Sequence, residues 1–427
     1  MRWLHQRIGF CLSVLAALLI VAILVQSTGI AAAADTPSTS RVPGAGKATT
    51  PTVASNPTAK ASENPTAPCD PGGGEEDPKG SGKKTVVPPR PKDNVVRRVM
   101  KVQDRHTRNL LAIDGVVGVG TGVAANGDVV VRVFTLHSGV GQIPARIEGV
   151  LVEAVKTGQF RPEQRSVPRP RPRATVPSTH DFLRRPVPIG VSISLDIPNF
   201  FYYGTLGCRV KDRKGGLYVL SNNHVIANEN TAAIGSPVVQ PGTYNPDTGG
   251  TGLIRGEAQT IGYLRRFVPI VHSNTFNPSR VNRVDAAIAS CAAANVGNTT
   301  LPNGYGWYHS RPVEAYLTQR VQKYGATTGH TRGYVSDVNL TVSISYDAGT
   351  AWFVDQIGVI ALEPPWSTGG DSGSLVVTDS APSTRRPRPE AKYPVGLHFA
   401  GAAGIWGIEN PIGEVLKGLN VTIDGKE

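Results

Sequence analysis

Cysteine is scarce in this chain. Of its four cysteines, Cys11 falls in an apolar leader and Cys69 in a stretch with almost no large apolar residues, which leaves Cys208 and Cys291 in the C-terminal region. No more than one bridge can form inside that region. A charge excess on the C-terminal region is missing too: behind the formal +12 stand 19 Lys/Arg against 18 Asp/Glu in residues 191–427, so nearly all the excess lies upstream. A nucleic-acid groove needs clustered Arg/Lys on a folded face with aromatics to stack bases, and this balance argues against one. Residues 35–93 are rich in Pro, Ser, Thr, Ala and Gly and cannot bury enough surface to fold, so they read as a disordered tether. The glycine run Gly118-Val-Gly120-Thr-Gly122 enters a hairpin and not a helix, which removes it as a dinucleotide-binding loop.

Arg2 and Arg7 precede an apolar run from Ile8 to Val25, and Ala31–Ala34 stand just before Asp35. Residues 1–34 therefore read as a secretory signal with a small-residue cleavage site. The run is also at the lower limit for spanning a bilayer, so an uncleaved anchor through residues 8–25 stays open. Both readings place the rest of the chain outside the cell or on its surface.

In residues 94–160, Val99, Val102, His106, Leu110 and Ile113 fall on one helical face. Val116–Val119, Val129–Phe134 and Val150–Val155 read as strands, the first two joined through Asn126-Gly127, a strong hairpin signal. A small α/β domain is the expectation. Residues 161–190 hold seven Arg and seven Pro and read as a second, easily nicked linker. From 191 to 427 short β-rich runs are punctuated by Gly, Pro and Asn, which suits an all-β architecture.

The chemistry-bearing pattern is Ser221-Asn-Asn-His224, then Val284-Asp285-Ala-Ala287, then Gly369-Gly370-Asp371-Ser372-Gly373-Ser374. A serine hydroxyl needs an imidazole to take its proton and a carboxylate to hold that imidazole in the right tautomer. Asp247 and Asp337 also lie between His224 and Ser372, but the apolar run after Asp285 would bury its carboxylate beside the imidazole, whereas Asp247 sits in a turn-rich stretch. The backbone amides of Gly370 and Ser372 are placed to converge on the oxygen of a tetrahedral intermediate. This chemistry needs no metal or cofactor, and none is expected.

The order His, Asp, Ser excludes the α/β-hydrolase and subtilisin arrangements. With the strand Leu217–Leu220 leading into His224, the segment Lys323-Tyr-Gly-Ala-Thr-Thr-Gly329 and Gly396–Gly401, the region from about 190 onward resembles the trypsin-like, chymotrypsin-fold bacterial serine proteases. The resemblance implies two six-stranded antiparallel β-barrels, with His224 as general base, Asp285 as its orienter and Ser372 as nucleophile. It implies that Asp371 fixes the oxyanion loop through a buried partner, either a freed N-terminus or an Arg. It places Trp366, His398, Phe399 and Gly401 around the primary pocket. No carboxylate stands at 366, so cleavage after Lys or Arg is not expected. An imidazole at 398 can donate to a Glu or Gln side chain, as in glutamate-specific members; a His398 packed away from substrate, with Trp366 filling the pocket, is the competing reading. For Cys208 and Cys291 a bridge and two buried free thiols are both open.

The sequence thus predicts an exported serine endopeptidase acting on peptides or proteins, its 94–160 domain restraining it. The alternative is an exported binding or scaffold protein that keeps the fold without turnover.

Overall fold

The computed structural model describes residues 85–163, 179–180, 183–197, 202–242, 259–379 and 392–427. The expected signal, the tether up to residue 84, most of the Arg/Pro-rich stretch, Cys11, Cys69 and Asp247 lie outside these. A helix, α1 (Asp93–Leu111), is followed by β1 (Val116–Val123), β2 (Val129–Thr135), β3 (Arg146–Ile147), β4 (Val150–Lys156) and β5 (Arg161–Pro162). Next come β6 (Ser192–Leu195), β7 (Gly204–Thr205), β8 (Cys208–Lys211), β9 (Leu217–Ser221), α2 (Asn223–Ile226), β10 (Pro237–Gln240), β11 (Gln259–Phe267) and β12 (Ala287–Cys291). The chain ends with β13 (Arg320–Gly325), β14 (Gly329–Tyr346), β15 (Gly349–Ala361), β16 (Leu375–Thr378), β17 (Pro394–Ala402), β18 (Trp406–Pro411), α3 (Ile412–Leu419) and β19 (Thr422–Ile423).

The strands form two sheets, so the all-β reading of the C-terminal region holds, but the counts depart from six and six. The first sheet runs β19-β8-β9-β12-β11-β10-β6-β7. The second runs β13-β16-β17-β18-β15-β14 and closes through β13–β14 pairing, a ring of six, and then continues from β14 into β1-β2-β4-β3. The extension is possible because β14 is 18 residues long: its first part pairs β13, and its later part is free to take β1, with Gly118 opposite Val342 and Gly122 opposite Asp337. The segment read as a small α/β domain is therefore sheet-continuous with the second barrel.

Helix α1 buries Val99, Val102, Leu110 and Leu111 on β1, β2 and β4, with Val119, Val131 and Val133 beneath. Two positions differ from the periodic reading. Gln103 is buried in the stripe because its amide donates to the carbonyls of Val119 and Asn339, at 3.3 and 2.6 Å, so it carries no unpaired polar group. His106 is half-buried at the rim and meets Glu148 at 2.9 Å. At the other end of the chain, Ile412, Val415, Leu416 and Leu419 of α3 form an i, i+3, i+4, i+7 stripe packed into the first sheet's core. Burial of four such side chains contributes about 1.5–3 kcal/mol each.

A buried ion pair crosses from β2 to β14: Arg132 Nη1 lies 2.8 Å from Asp337 Oδ1, and Arg132 is 4% and Asp337 0% exposed. Asp337 is thereby committed to Arg132. The pair explains Gly122, where a Cβ would stand 2.5 Å from Asp337 Oδ1 and 2.8 Å from Arg132 Cζ. Its absence of side chain is for this crossing and not for a phosphate.

Cys208 and Cys291 are free thiols, which settles the open alternative against a bridge. They lie on β8 and β12, which flank β9 on opposite sides. Two strand spacings, about 9–10 Å, exceed the reach of a disulfide. Burial raises the pKa of both, Cys291 to about 11.

Candidate active site

The first sheet brings together His224 and Asp285, the expected base and its orienter. Strand β9 ends at Ser221 opposite Ala287 of β12, so the residues just beyond these two strand ends, His224 and Asp285, meet. His224 Nδ1 lies 2.5 Å from Asp285 Oδ2, and the His224 amide donates to Oδ1 at 3.2 Å. Both residues are fully buried. The backbone of Asp285 is pinned from two sides: Asn222 Nδ2 donates to its carbonyl at 2.7 Å, and its amide donates to Asn410 Oδ1 at 3.0 Å. Tyr346, at the end of β14, donates to Oδ2 at 2.8 Å. Burial and the Asp285 charge hold the Tyr346 hydroxyl well above its ordinary pKa, so it remains a donor. Sequence reasoning missed Tyr346.

The second sheet supplies Ser372, in the turn before β16. Gly370 has φ +102°, and a Cβ there would stand 2.2 Å from Thr327 Oγ1 and 2.5 Å from the Tyr203 ring. Only glycine fits, and the turn aims the Gly370 and Ser372 amides at one point. Asp371 holds this turn from behind. Its Oδ2 receives Lys323 Nζ at 3.1 Å and Thr328 Oγ1 at 2.6 Å, and its Oδ1 receives the Thr327 and Thr328 amides at 2.9 and 3.1 Å. Burial works against the charged carboxylate, but the Lys323 charge and these hydrogen bonds outweigh it and leave the pKa lowered. The partner of Asp371 is thus Lys323, fully buried, and neither an N-terminus nor an Arg. The sequence placed Lys323 in a motif without giving it this part.

A segment of the chain itself lies in the cleft. Strand β5 pairs antiparallel with β17, Pro162 opposite Ala400 and Arg161 opposite Gly401. The Glu163 carbonyl oxygen accepts from the Gly370 amide and, at 3.3 Å, from the Ser372 amide. The Glu163 amide faces the Phe399 carbonyl at 3.4 Å and Ser372 Oγ at 2.9 Å. Ser372 Oγ donates to the Phe399 carbonyl at 3.0 Å, and His224 Nε2, buried, has no hydrogen-bond partner among the described residues. The serine hydroxyl is turned onto β17 and away from the imidazole.

The Glu163 side chain enters a pocket floored by His398. Its Oε2 lies 2.9 Å from His398 Nε2, while His398 Nδ1 is held by Glu409 Oε1 and Oε2 at 3.0 and 3.1 Å. His398 and Glu409 stand directly opposite in the β17–β18 pairing. Burial alone would lower the imidazole pKa, but the Glu409 charge, the hydrogen bonds to Glu163 and Glu409 and the Glu163 charge raise it to about 9. Trp366, fully buried, does not fill the pocket: its Nε1 donates to Glu409 Oε1 at 2.9 Å and helps aim that carboxylate at His398. Neither Glu409 nor Glu163 was picked out from sequence. Phe399 contributes its backbone carbonyl, and a Cβ at Gly401 would stand 2.1 Å from Glu163 Oε1.

A scan against family models and a search of curated proteins both find no match. Among solved structures the chain is similar to Thermobifida fusca protease A, at 18% identity over 56% of this chain and 97% of that one, TM-score 0.37. It is similar to a glutamic acid specific serine protease said to use a histidine triad in substrate binding, at 21% identity over 56% and 100%, TM-score 0.36. A Nocardiopsis protease aligns at 16% identity over 55% and 97%, TM-score 0.36.

Proposed function

We propose that the protein is an exported serine endopeptidase that cuts after glutamate. One observation carries this reading: a glutamate of the chain lies with its main-chain oxygen between the Gly370 and Ser372 amides and its carboxylate on His398. Backbone donors aimed at a carbonyl oxygen stabilise the charge that develops there during acyl transfer. An imidazolium held by a second carboxylate selects an acidic side chain by charge as well as by hydrogen bonding.

In the proposed reaction Ser372 Oγ, rotated from the Phe399 carbonyl toward His224 Nε2, gives its proton to that nitrogen and bonds to the substrate carbonyl carbon. His224 then protonates the leaving amine. Water hydrolyses the acyl ester with His224 again as base. Asp285 holds the Nδ1–H tautomer, and Tyr346, Asn222 and Asn410 hold Asp285. The Lys323–Asp371 pair keeps the amide-bearing turn in place in the uncut chain, so residues 94–163 restrain the enzyme by occupying the cleft and not by deforming it.

The reading of a binding protein without turnover has one observation on its side, the missing Ser372–His224 hydrogen bond. A serine-directed fluorophosphonate separates the two. The protease labels at Ser372 once the cleft is freed, and it enriches Glu before the cut in a peptide library; a freed cleft that neither labels nor cuts leaves the binding protein.

A further inference from the structure

We infer that the outward face of α1 is a docking surface for an anionic lipid bilayer, which it meets through headgroup phosphates and without inserting. The inference does not depend on the peptidase reading.

At 3.6 residues per turn, Arg97, Arg98, Lys101, Arg105 and Arg108 fall within an arc of about 100° and over about 16 Å of helix. That arc lies opposite Val99, Val102 and Leu110, which pack on the sheet. All five cations are exposed. The carboxylates around them are already engaged: Asp93 with Arg90, Asp104 with Asn339, and Glu148 with Arg105 and His106. The side chains of Arg97, Arg98, Lys101 and Arg108 make no ion pair or hydrogen bond among the described residues. Like charges at i, i+4, as in Arg97–Lys101–Arg105, destabilise a helix, and cations in its first turns oppose the positive end of its dipole. An anionic partner relieves both.

Three observations favour a bilayer as that partner. A depression of about 390 Å³ lies along this face, bordered by Asn94, Arg97, Arg98, Lys101, Arg105 and Glu148, and three cations without partners of their own around it suit a headgroup phosphate. The apolar side chains of α1 are committed to the sheet, so the helix cannot turn them into a membrane as a free amphipathic helix does, and the contact is electrostatic. Helix α1 carries no Phe, Tyr or Trp on which bases could stack, which argues against a single-stranded nucleic acid. The apolar run Ile8–Val25, read from sequence as signal or anchor, brings the chain to a bilayer in either case.

The test uses the full chain on vesicles of phosphatidylcholine, alone or mixed with phosphatidylglycerol, and reads acetylation of single lysines by mass spectrometry. Any contribution of the apolar run is common to both vesicles. Lys101 is expected to label more slowly on the mixed vesicles at low salt, with the protection lost at high salt. Lys417, on α3 with its side chain 79% exposed, labels equally on both. Each cation near an anionic surface strengthens binding about fivefold, so Arg97→Gln with Arg98→Gln lowers the docking constant obtained from Lys101 protection about 25-fold. Equal Lys101 rates on the two vesicles, equal protection of Lys101 and Lys417, or a double variant protected as well as the parent overturns the inference. So does protection of Lys101 by double-stranded DNA with none by the mixed vesicles, which assigns the face to nucleic acid. Fluorophosphonate labelling of Ser372 tests the peptidase reading separately and is indifferent to all of these outcomes.

Discussion

Glu409→Gln is expected to change what is cut without unmaking the pocket. The replacement keeps the size of the side chain and an oxygen for the Trp366 Nε1–H and for His398 Nδ1–H, now 2.9 and 3.0 Å away. What it removes is the negative charge that contributes most to raising His398. With Glu163 in place the imidazole titrates at about 9, so at pH 7 it is an imidazolium and Nε2 donates to a substrate carboxylate. Beside a neutral amide the largest raising influence is gone, so the imidazole gives up its proton at lower pH than in the parent. If Nδ1–H goes to the oxygen of the introduced amide, Nε2 then presents a lone pair, which repels a carboxylate and accepts from a glutamine NH₂. Loss of a hydrogen bond to a charged group costs about 1.5–3 kcal/mol, so kcat/KM for Glu peptides falls roughly 10- to 150-fold, with Gln peptides little affected or gaining. A raised imidazole favours the acidic ligand below its ordinary pKa, and that favour is lost as pH rises through the bound-state value. The parent's Glu-peptide rate therefore declines toward pH 9, and the variant's declines at lower pH. Peptide pairs differing only in Glu or Gln, assayed from pH 5 to 10, measure both effects. An unchanged Glu-to-Gln ratio with an unchanged alkaline limb refutes the assignment of His398 and Glu409.

Ser372→Ala should reduce peptide hydrolysis by on the order of a thousandfold or more, and Asp285→Asn should lose most of the rate with the fold kept; a fully active Asp285→Asn enzyme would exclude the acid, read by kcat at constant thermal midpoint. Lys323→Met leaves Asp371 buried with hydrogen bonds but no counter-charge, which should destabilise by about 3–5 kcal/mol and lower kcat more than it raises KM. The lowered pKa of Asp371 means its stabilising share is present above the unfolded carboxyl value, about 3.9, and is lost as pH falls below that; acid unfolding of Lys323→Met should show a shallower pH dependence than the parent in this window. Arg132→Met strands Asp337 in the same way and weakens the hold of β1, so fluorophosphonate labelling of Ser372 in the full chain should be faster than in the parent; equal rates would show that the pair plays no part in keeping the cleft closed.

The parts legible from sequence were those where chemistry dictates residue type within a short span. The Gly370–Ser374 turn and His224 announce themselves because a strained turn and an imidazole have few other uses in such contexts. Asp285 followed from the apolar residues after it. Lys323, Glu409 and Tyr346 were not legible because each is a single polar residue inside a strand, and its meaning comes from register: Glu409 matters because it stands opposite His398 across a sheet. Strand β5 was read as linker for a related reason. Two residues have no periodicity, and their extended form is imposed by the β17 edge they meet. The six-and-six barrel count departs in the first sheet, which has eight strands, and where the second sheet's ring of six continues from β14 into β1. The Cys208–Cys291 question could be decided only from strand order, which places β9 between them.

Strand β1 covers the flank of β14 from Asp337 to Val342, which without it would be a bare sheet edge. Uncovered edges invite other chains to add strands, and folded proteins commonly guard them with a charge pointing into the pairing zone. Here such a charge is at hand: Asp337, paired with Arg132 of β2, lies on that flank. One carboxylate thus fastens the cover and would give a bare edge a charge that discourages another strand from adding there.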